Sequence, residues 1–229
     1  MKIHYYGHSA VSLSEGEHSI IIDPFLTDNP LYGGMPTELK FTTILLTHGH
    51  EDHVGDAVAL SKEHGAPIVA MFELANLLQD AGGTTMGCGY GGQVDHPWGW
   101  SKLVPAWHSS SWGGKYAGNP AGLIVHMGGR TLYHAGDTCV FSDMKLIAEL
   151  YKPEIALLPV GGTYTMDTFE AMKAIELIAP RFVIPIHYNT WPPIAIDVEK
   201  FKSEVEARFA TRVQVMSPDS SWELATATV

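Results

Sequence analysis

The sequence predicts one α/β domain built as a sandwich, and three features of its pattern lead there. Strand-like runs come first, and helical segments are then interleaved with further strands. Each half of the chain holds both hairpins and strand–helix pairs, an order unlike that of a parallel doubly wound sheet. No low-complexity linker or run of like charge interrupts the 229 residues, so residues 1–229 read as a single domain.

The elements follow in order. Ile3–Tyr6 and Ser19–Ile22 are short apolar runs, with Glu15-Gly16-Glu17 as a hairpin turn and Asp23-Pro24 as a stop. Residues 29–36, rich in glycine and proline, read as a loop. A buried strand runs through Ile44-Leu45-Leu46 to Thr47, and a helix is expected over Val54–His64, where Val54, Ala57, Val58 and Leu60 share a face until Gly65 stops it. Ile68–Ala70 reads as a strand and Phe72–Ala81 as a helix closed by Gly82-Gly83. The stretch from Gly82 to Trp112 lacks clean periodicity, apart from a strand over Leu103–Trp107 that ends at His108. Gly122–His126 and Thr131–His134 form a hairpin over Gly128-Gly129, and Ala135-Gly136-Asp137-Thr138 turns the chain away. Helices over Asp143–Tyr151, Thr168–Ala179 and Val198–Phe209 alternate with strands over Ile155–Val160, Phe182–Pro185 and about Val213–Met216.

Bulk properties narrow the function. With 45% hydrophobic and 17% charged residues the chain can bury a sizeable core and is not disordered. A net charge of −11 and the lack of a basic stripe argue against nucleic-acid binding, although bound cations would leave an anionic small substrate open. Two distant cysteines, Cys88 and Cys139, point to a reducing compartment. Met1–Gly7 lacks the apolar core of a signal peptide, and no apolar run nears the roughly 18 residues of a membrane span. The expectation is a cytoplasmic protein with a small-molecule substrate and no membrane partner, compatible with a homo-oligomer.

The chemistry is concentrated in His48-Gly49-His50-Glu51-Asp52-His53, which packs four potential ligands into six positions at a strand's carboxyl end. Imidazole and carboxylate together suit a borderline divalent ion such as Zn²⁺, Mn²⁺ or Fe²⁺. His108, Asp137 and His187 also stand at strand ends, where loops converge. Each alone has an ordinary explanation: a serine-bonded loop histidine, a turn aspartate, a core histidine. Seven ligand-type residues at four strand ends together point to a metal site.

The H-x-H-x-D-H pattern of residues 48–53 resembles the signature of the metallo-β-lactamase-fold superfamily. Supporting segments are Tyr6-Gly7-His8-Ser9, Ile22-Asp23-Pro24, Ala106-Trp107-His108-Ser109-Ser110, Ala135-Gly136-Asp137-Thr138 and Pro185-Ile186-His187-Tyr188. The resemblance spans nearly the whole chain and is to small metal-dependent hydrolases similar to the ascorbate-6-phosphate lactonases. Val160-Gly161-Gly162-Thr163 departs from it, lacking an acidic residue after the glycine. The resemblance implies a four-layer αββα sandwich with two divalent ions (Zn, Mn or Fe) at one edge. It implies that His48, His50 and His108 hold one ion, that Asp52, His53 and His187 hold the other, and that Asp137 bridges them.

Two ions roughly 3.5–4 Å apart can share a nucleophilic hydroxide. The expected activity is therefore hydrolysis of a small ester-like bond, lactone or phosphodiester, with Asp52 and Asp137 in the catalytic centre. His8 and Tyr188 are candidates to contact substrate or donate a proton. Asp23 is the candidate acceptor behind a ligating histidine, and His134 has no assigned role. The competing readings are a phosphodiesterase or nuclease, a non-catalytic metal-binding protein, and a di-iron redox centre served by a flavin partner. A nuclease usually needs an added substrate domain, a structural site lacks open positions, and no flavodoxin-like segment is present. A self-contained pocket, lined partly by the tryptophan-rich segment 98–112, is expected.

Overall fold

The computed structural model describes residues 1–36 and 40–224. The chain opens with an antiparallel meander of β1 (Lys2–Gly7), β2 (Ala10–Glu15) and β3 (His18–Ile22). It then builds in parallel through β4 (Thr43–Leu45), helices α1 (Glu51–Val54) and α2 (Ala57–His64), β5 (Ile68–Met71), α3 (Phe72–Asp80) and β6 (Thr85–Cys88). A second sheet starts with β7 (Gln93–His96) and β8 (Gly99–Pro105). The small hairpin β9 (Ser111–Trp112) and β10 (Lys115–Tyr116) stands apart from it. The second sheet continues with β11 (Ala121–Met127) and β12 (Arg130–His134), then α4 (Met144–Tyr151), β13 (Ile155–Pro159), α5 (Thr168–Ile178), β14 (Phe182–Ile186), α6 (Val198–Arg208) and β15 (Arg212–Val213). The last strand, β16 (Ser220–Glu223), returns to the first sheet beside β1.

Two seven-stranded sheets result, ordered β16-β1-β2-β3-β4-β5-β6 and β15-β14-β13-β12-β11-β8-β7. Strand alternation assigns their faces. Ile3, Leu13, Val69, Leu123, Leu157 and Ile184 fill the space between the sheets. The outer face of the first sheet buries Ile44 and Ile68 against Leu60, Leu74 and Leu78 of α2 and α3. The outer face of the second buries Ile124, Ala156 and Val183 against Ile147, Ile175 and Phe201 of α4, α5 and α6. This is the four-layer αββα sandwich. Asp167 and Asp197 cap α5 and α6 by accepting the amides of Glu170 and Lys200, each at 2.9 Å. No helix among the described residues is long and apolar enough to cross a membrane.

Four expectations need correction. The helix anticipated over Val54–His64 is two helices, and Asp52 and His53 belong to the first. The break follows from docking: the Asp56 carboxylate accepts the amides of Leu26 (3.2 Å) and Thr27 (2.9 Å) on a distant loop. Ala10–Glu15, not named above as a strand, is one; its buried Ser12 is satisfied by the Tyr6 hydroxyl at 3.1 Å. Glycine-rich residues 85–96 contain β6 and β7, ordered by pairing with neighbours rather than by an apolar pattern. The final strand shrinks to Arg212–Val213, and polar Ser220–Glu223 takes an edge position where only one face needs burial.

Leu123 is wholly buried between the sheets. Leu123→Ala is expected to cost about 2–5 kcal/mol, read as a lowered midpoint in denaturant unfolding.

Candidate metal centre

Five strands deliver their carboxyl ends to one rim of the sandwich. β1 leads to His8, β4 to His48, β8 to His108, β12 to Asp137 and β14 to His187. The turn after β4 is tight: Gly49 packs so closely on the β9–β10 hairpin that a Cβ there would lie 2.6 Å from the Ala117 Cβ. Its amide donates to the Ser110 hydroxyl at 3.1 Å. After β12 the chain turns through Gly136 at φ 62°, a left-handed conformation natural to glycine that aims Asp137 inward.

The seven sequence-derived ligands converge. His48, His50 and His108 form one group of facing donor atoms. Asp52, His53 and His187 form a second, which His8 joins. Asp137 lies between them: its Oδ2 is 3.1 Å from His187 Nε2, 3.6 Å from His108 Nε2 and 4.0 Å from His48 Nε2, and its Oδ1 is 3.2 Å from His53 Nε2.

The ring tautomers follow from the hydrogen bonds. Asp23, fully buried, accepts the Thr47 amide at 2.8 Å, the Thr47 hydroxyl at 2.7 Å and His53 Nδ1–H at 2.8 Å. The Thr47 hydroxyl spends its one proton on Asp23, so at 3.0 Å it accepts from His48 Nδ1–H. One carboxylate thus turns the Nε2 atoms of His48 and His53 toward the centre. His8, also fully buried, bonds Asp52 through Nε2 (3.1 Å) and Thr190 through Nδ1 (2.8 Å).

Protonation states match a divalent cation. Burial pushes His48, His50 and His108 below the usual imidazole range, so these rings are neutral at pH 7. Burial also lowers His8, to about 4. Burial would raise the Asp52 and Asp137 carboxyls. The hydrogen bond from His8 and the charge of His53 hold Asp52 below its ordinary value instead, and His53 and His187 do so for Asp137. His53 is the exception: burial opposes its charged form, yet Asp137 and Asp23 on either side raise it well above 6.5.

The donor set fits divalent ions on the structure's own terms. His53 Nε2 and Asp137 Oδ1 are buried and face one another at 3.2 Å without good hydrogen-bond geometry, an imperfect pairing that coordination would relieve. Carboxylates mixed with neutral imidazoles suit Zn²⁺, Mn²⁺ or Fe²⁺.

Two residues expected to meet substrate are buried. Tyr188 lies in the helix-facing core of the second sheet, and burial pushes its hydroxyl up to about 12. His8 lies beside Asp52, out of solvent, and supports that carboxylate through its Nε2. The pocket lining differs as well. Trp98 is buried between the sheets, donating to Thr43 at 3.0 Å, and Trp100 stacks on His126. Trp107 alone of that segment's tryptophans is widely exposed, at 67%. The cleft beside Asp52, of about 410 Å³, is lined instead by Phe25 and Trp191 together with the acidic Asp28, Glu51 and Asp56. Sequence reasoning assigned no role to Thr47, Thr190 or Trp191, and Ser110 entered it only as a neighbour of His108, whereas in the fold it receives the Gly49 amide.

Two face-to-face sheets between helical layers, with histidine and aspartate groups at one edge, define a metallo-β-lactamase-fold protein. Residues 2–187 match the family model described as a beta-lactamase superfamily domain. The chain is 49% identical over 231 residues to a UPF0173 metal-dependent hydrolase of Thermococcus onnurineus, spanning 98% of this chain and 100% of that one. It is 44% identical to a protein of the same description from Carboxydothermus hydrogenoformans, spanning 95% and 97%. Igni18, a metallo hydrolase from the archaeon Ignicoccus hospitalis, superposes with a TM-score of 0.90 at 38% identity, spanning 98% and 99%. The chain belongs to the beta-lactamase superfamily and, within it, to the UPF0173 family of metal-dependent hydrolases.

Two tests follow. A metal ion needs the neutral His53 ring, which in the metal-free protein holds a proton above pH 6.5. Affinity should therefore rise with pH through neutrality, and calorimetry at pH 7 in buffers of different ionisation enthalpy should register release of about one proton; a buffer-independent enthalpy would rule this out. Asp23→Asn keeps the size but loses one acceptor face, and metal affinity is expected to fall about 10–100-fold in competition titrations against a chelator.

Proposed function

We propose that the protein is a hydrolase that holds two divalent ions and cleaves an ester-like bond in a small molecule. The observation that carries this reading is the position of Asp137, whose oxygens lie within 4.0 Å of histidine nitrogens from both donor groups. In this reading His48, His50 and His108 hold one ion, Asp52, His53 and His187 hold the other, and Asp137 serves both. Ions so held supply Lewis acidity, acidifying water and polarising the scissile bond. The relatives' common description as metal-dependent hydrolases supports the same class.

The chain's own residues do the rest. Asp23 orients His48 and His53, and His8 orients Asp52. Phe25 and Trp191 offer an apolar wall to the part of the substrate that does not react. Asp28, Glu51 and Asp56 in the cleft lining disfavour a phosphate group there, which supports an uncharged lactone or carboxylic ester over a phosphodiester. The volume suits a small molecule, and the net charge of −11 does not favour a polynucleotide.

The test begins with protein stripped of metal and reloaded with Zn²⁺, Mn²⁺ or Fe²⁺. Elemental analysis should approach two ions per chain, and turnover of lactones and aryl esters should exceed that of phosphodiesters and RNA. Asp137→Asn should keep the circular dichroism spectrum and lose turnover by orders of magnitude. A plateau at one ion, or near-normal turnover by the variant with two ions bound, rejects the shared-aspartate reading. Preferred cleavage of RNA selects the nuclease alternative, and no turnover under any of the three metals selects a non-catalytic metal protein.

A further inference from the structure

Below the candidate centre, His134 ends β12 and is wholly buried. Among the described residues no group of metal-type donors includes it. Its bonds are unusual in joining main chain to main chain across the sandwich. Nδ1 accepts the Gly136 amide at 3.1 Å. A ring nitrogen that accepts carries no proton, so the neutral ring has its proton on Nε2, which donates to the Ser9 carbonyl at 3.1 Å.

Both partners are neighbours of residues in the centre. Gly136 is the left-handed residue that aims Asp137. Ser9 follows His8 in the turn between β1 and β2, the turn that supports Asp52 through the His8 ring. The same turn is fastened to the second sheet at another point, where the His187 amide donates to the His8 carbonyl at 2.8 Å. The two bonds of His134 thus tie the carrier of Asp137 to the carrier of His8, and the His8–His187 bond completes the loop. Burial favours the neutral ring that this arrangement requires.

We propose that His134 is a positioning residue for the metal centre: held as its Nε2–H tautomer, it locks the Ser9 and Gly136 main chains together and so sets Asp137 against the Asp52, His53 and His187 group. The inference rests on the two-ion reading. It assigns His134 no contact with metal or substrate. Its effect is on where Asp137 stands between the two groups, and so on the tightness and ligand field of the sites that share this carboxylate.

The probe is Co²⁺, titrated into metal-free wild type, His134→Gln and His134→Leu. Absorbance reports the ligand field, elemental analysis the stoichiometry, and thermal unfolding of the metal-free forms the stability. Glutamine can donate to one main chain and accept from the other, whereas leucine does neither. The leucine variant is expected to bind Co²⁺ at least about tenfold more weakly with an altered visible band, and the glutamine variant to recover most of both. If the leucine variant fails to fold, His134→Asn, polar but too short to reach both partners, takes its place in the comparison. A leucine or asparagine variant that is merely less stable, with wild-type Co²⁺ affinity and spectrum, overturns the role of His134 and leaves the two-ion reading standing. Wild-type protein that does not bind two Co²⁺ overturns that reading itself.

Discussion

A single buried carboxylate, Asp23, is the interaction on which the rest of the centre depends. Burying an ionised group without partners costs several kcal/mol, and Asp23 avoids that by accepting three hydrogen bonds. Each bond serves the site. The Thr47 amide fixes the end of β4, the Thr47 hydroxyl passes the tautomer choice to His48, and His53 Nδ1–H is held directly. Asp23 also shares the positive charge of His53 with Asp137 when no divalent ion does, which keeps two carboxylates near one another tolerable.

The backbone around this carboxylate is strained in a consistent way. His8, Asp23 and His187 all adopt positive φ, at 57°, 46° and 54°, a region uncommon outside glycine that aspartate and histidine enter more readily than most residues. Such residues cost on the order of 1–3 kcal/mol each and persist only where surrounding bonds over-determine them. Here those bonds are visible. The Asp23 amide donates to Leu45 O at 3.1 Å, the His187 amide to His8 O at 2.8 Å, and the Tyr5 hydroxyl to the same carbonyl at 3.1 Å. Three strand ends therefore turn sharply at the rim, and each turn directs a side chain into the centre instead of continuing its sheet.

Sandwich and site depend on each other through this rim. The inter-sheet core holds the two sheets face to face, yet the donor groups draw on both sheets: His48, Asp52 and His53 follow β4 of the first, and His108, Asp137 and His187 follow strands of the second. Any sliding of one sheet over the other would separate Asp137 from His53. The centre is a property of the sheet packing as much as of its donor groups, and the outer helices contribute by fixing the strands that carry them.

Much of this was legible in the chain itself. The hexapeptide at 48–53 is local, so its spacing alone placed four donors on one turn, and the apolar runs before His108, Asp137 and His187 marked strand ends without any tertiary information. Strand and helix periodicity set in order pointed to an α/β sandwich, and the four-layer αββα arrangement came with the family resemblance that those motifs carry. What only the tertiary structure decided are matters of long-range approach. Asp56 docking on the Leu26–Thr27 loop split the first helix and placed Asp52 and His53 on a helical turn. Polar Ser220–Glu223 became a strand because β1 offered it an edge. His8 and Tyr188 stand next to strand ends in the sequence, but only the packed fold shows one buried beside Asp52 and the other under the outer helices. The sequence states which atoms can bind a metal; the fold decides which of them face one another, since a histidine's role is set by neighbours more than a hundred residues away.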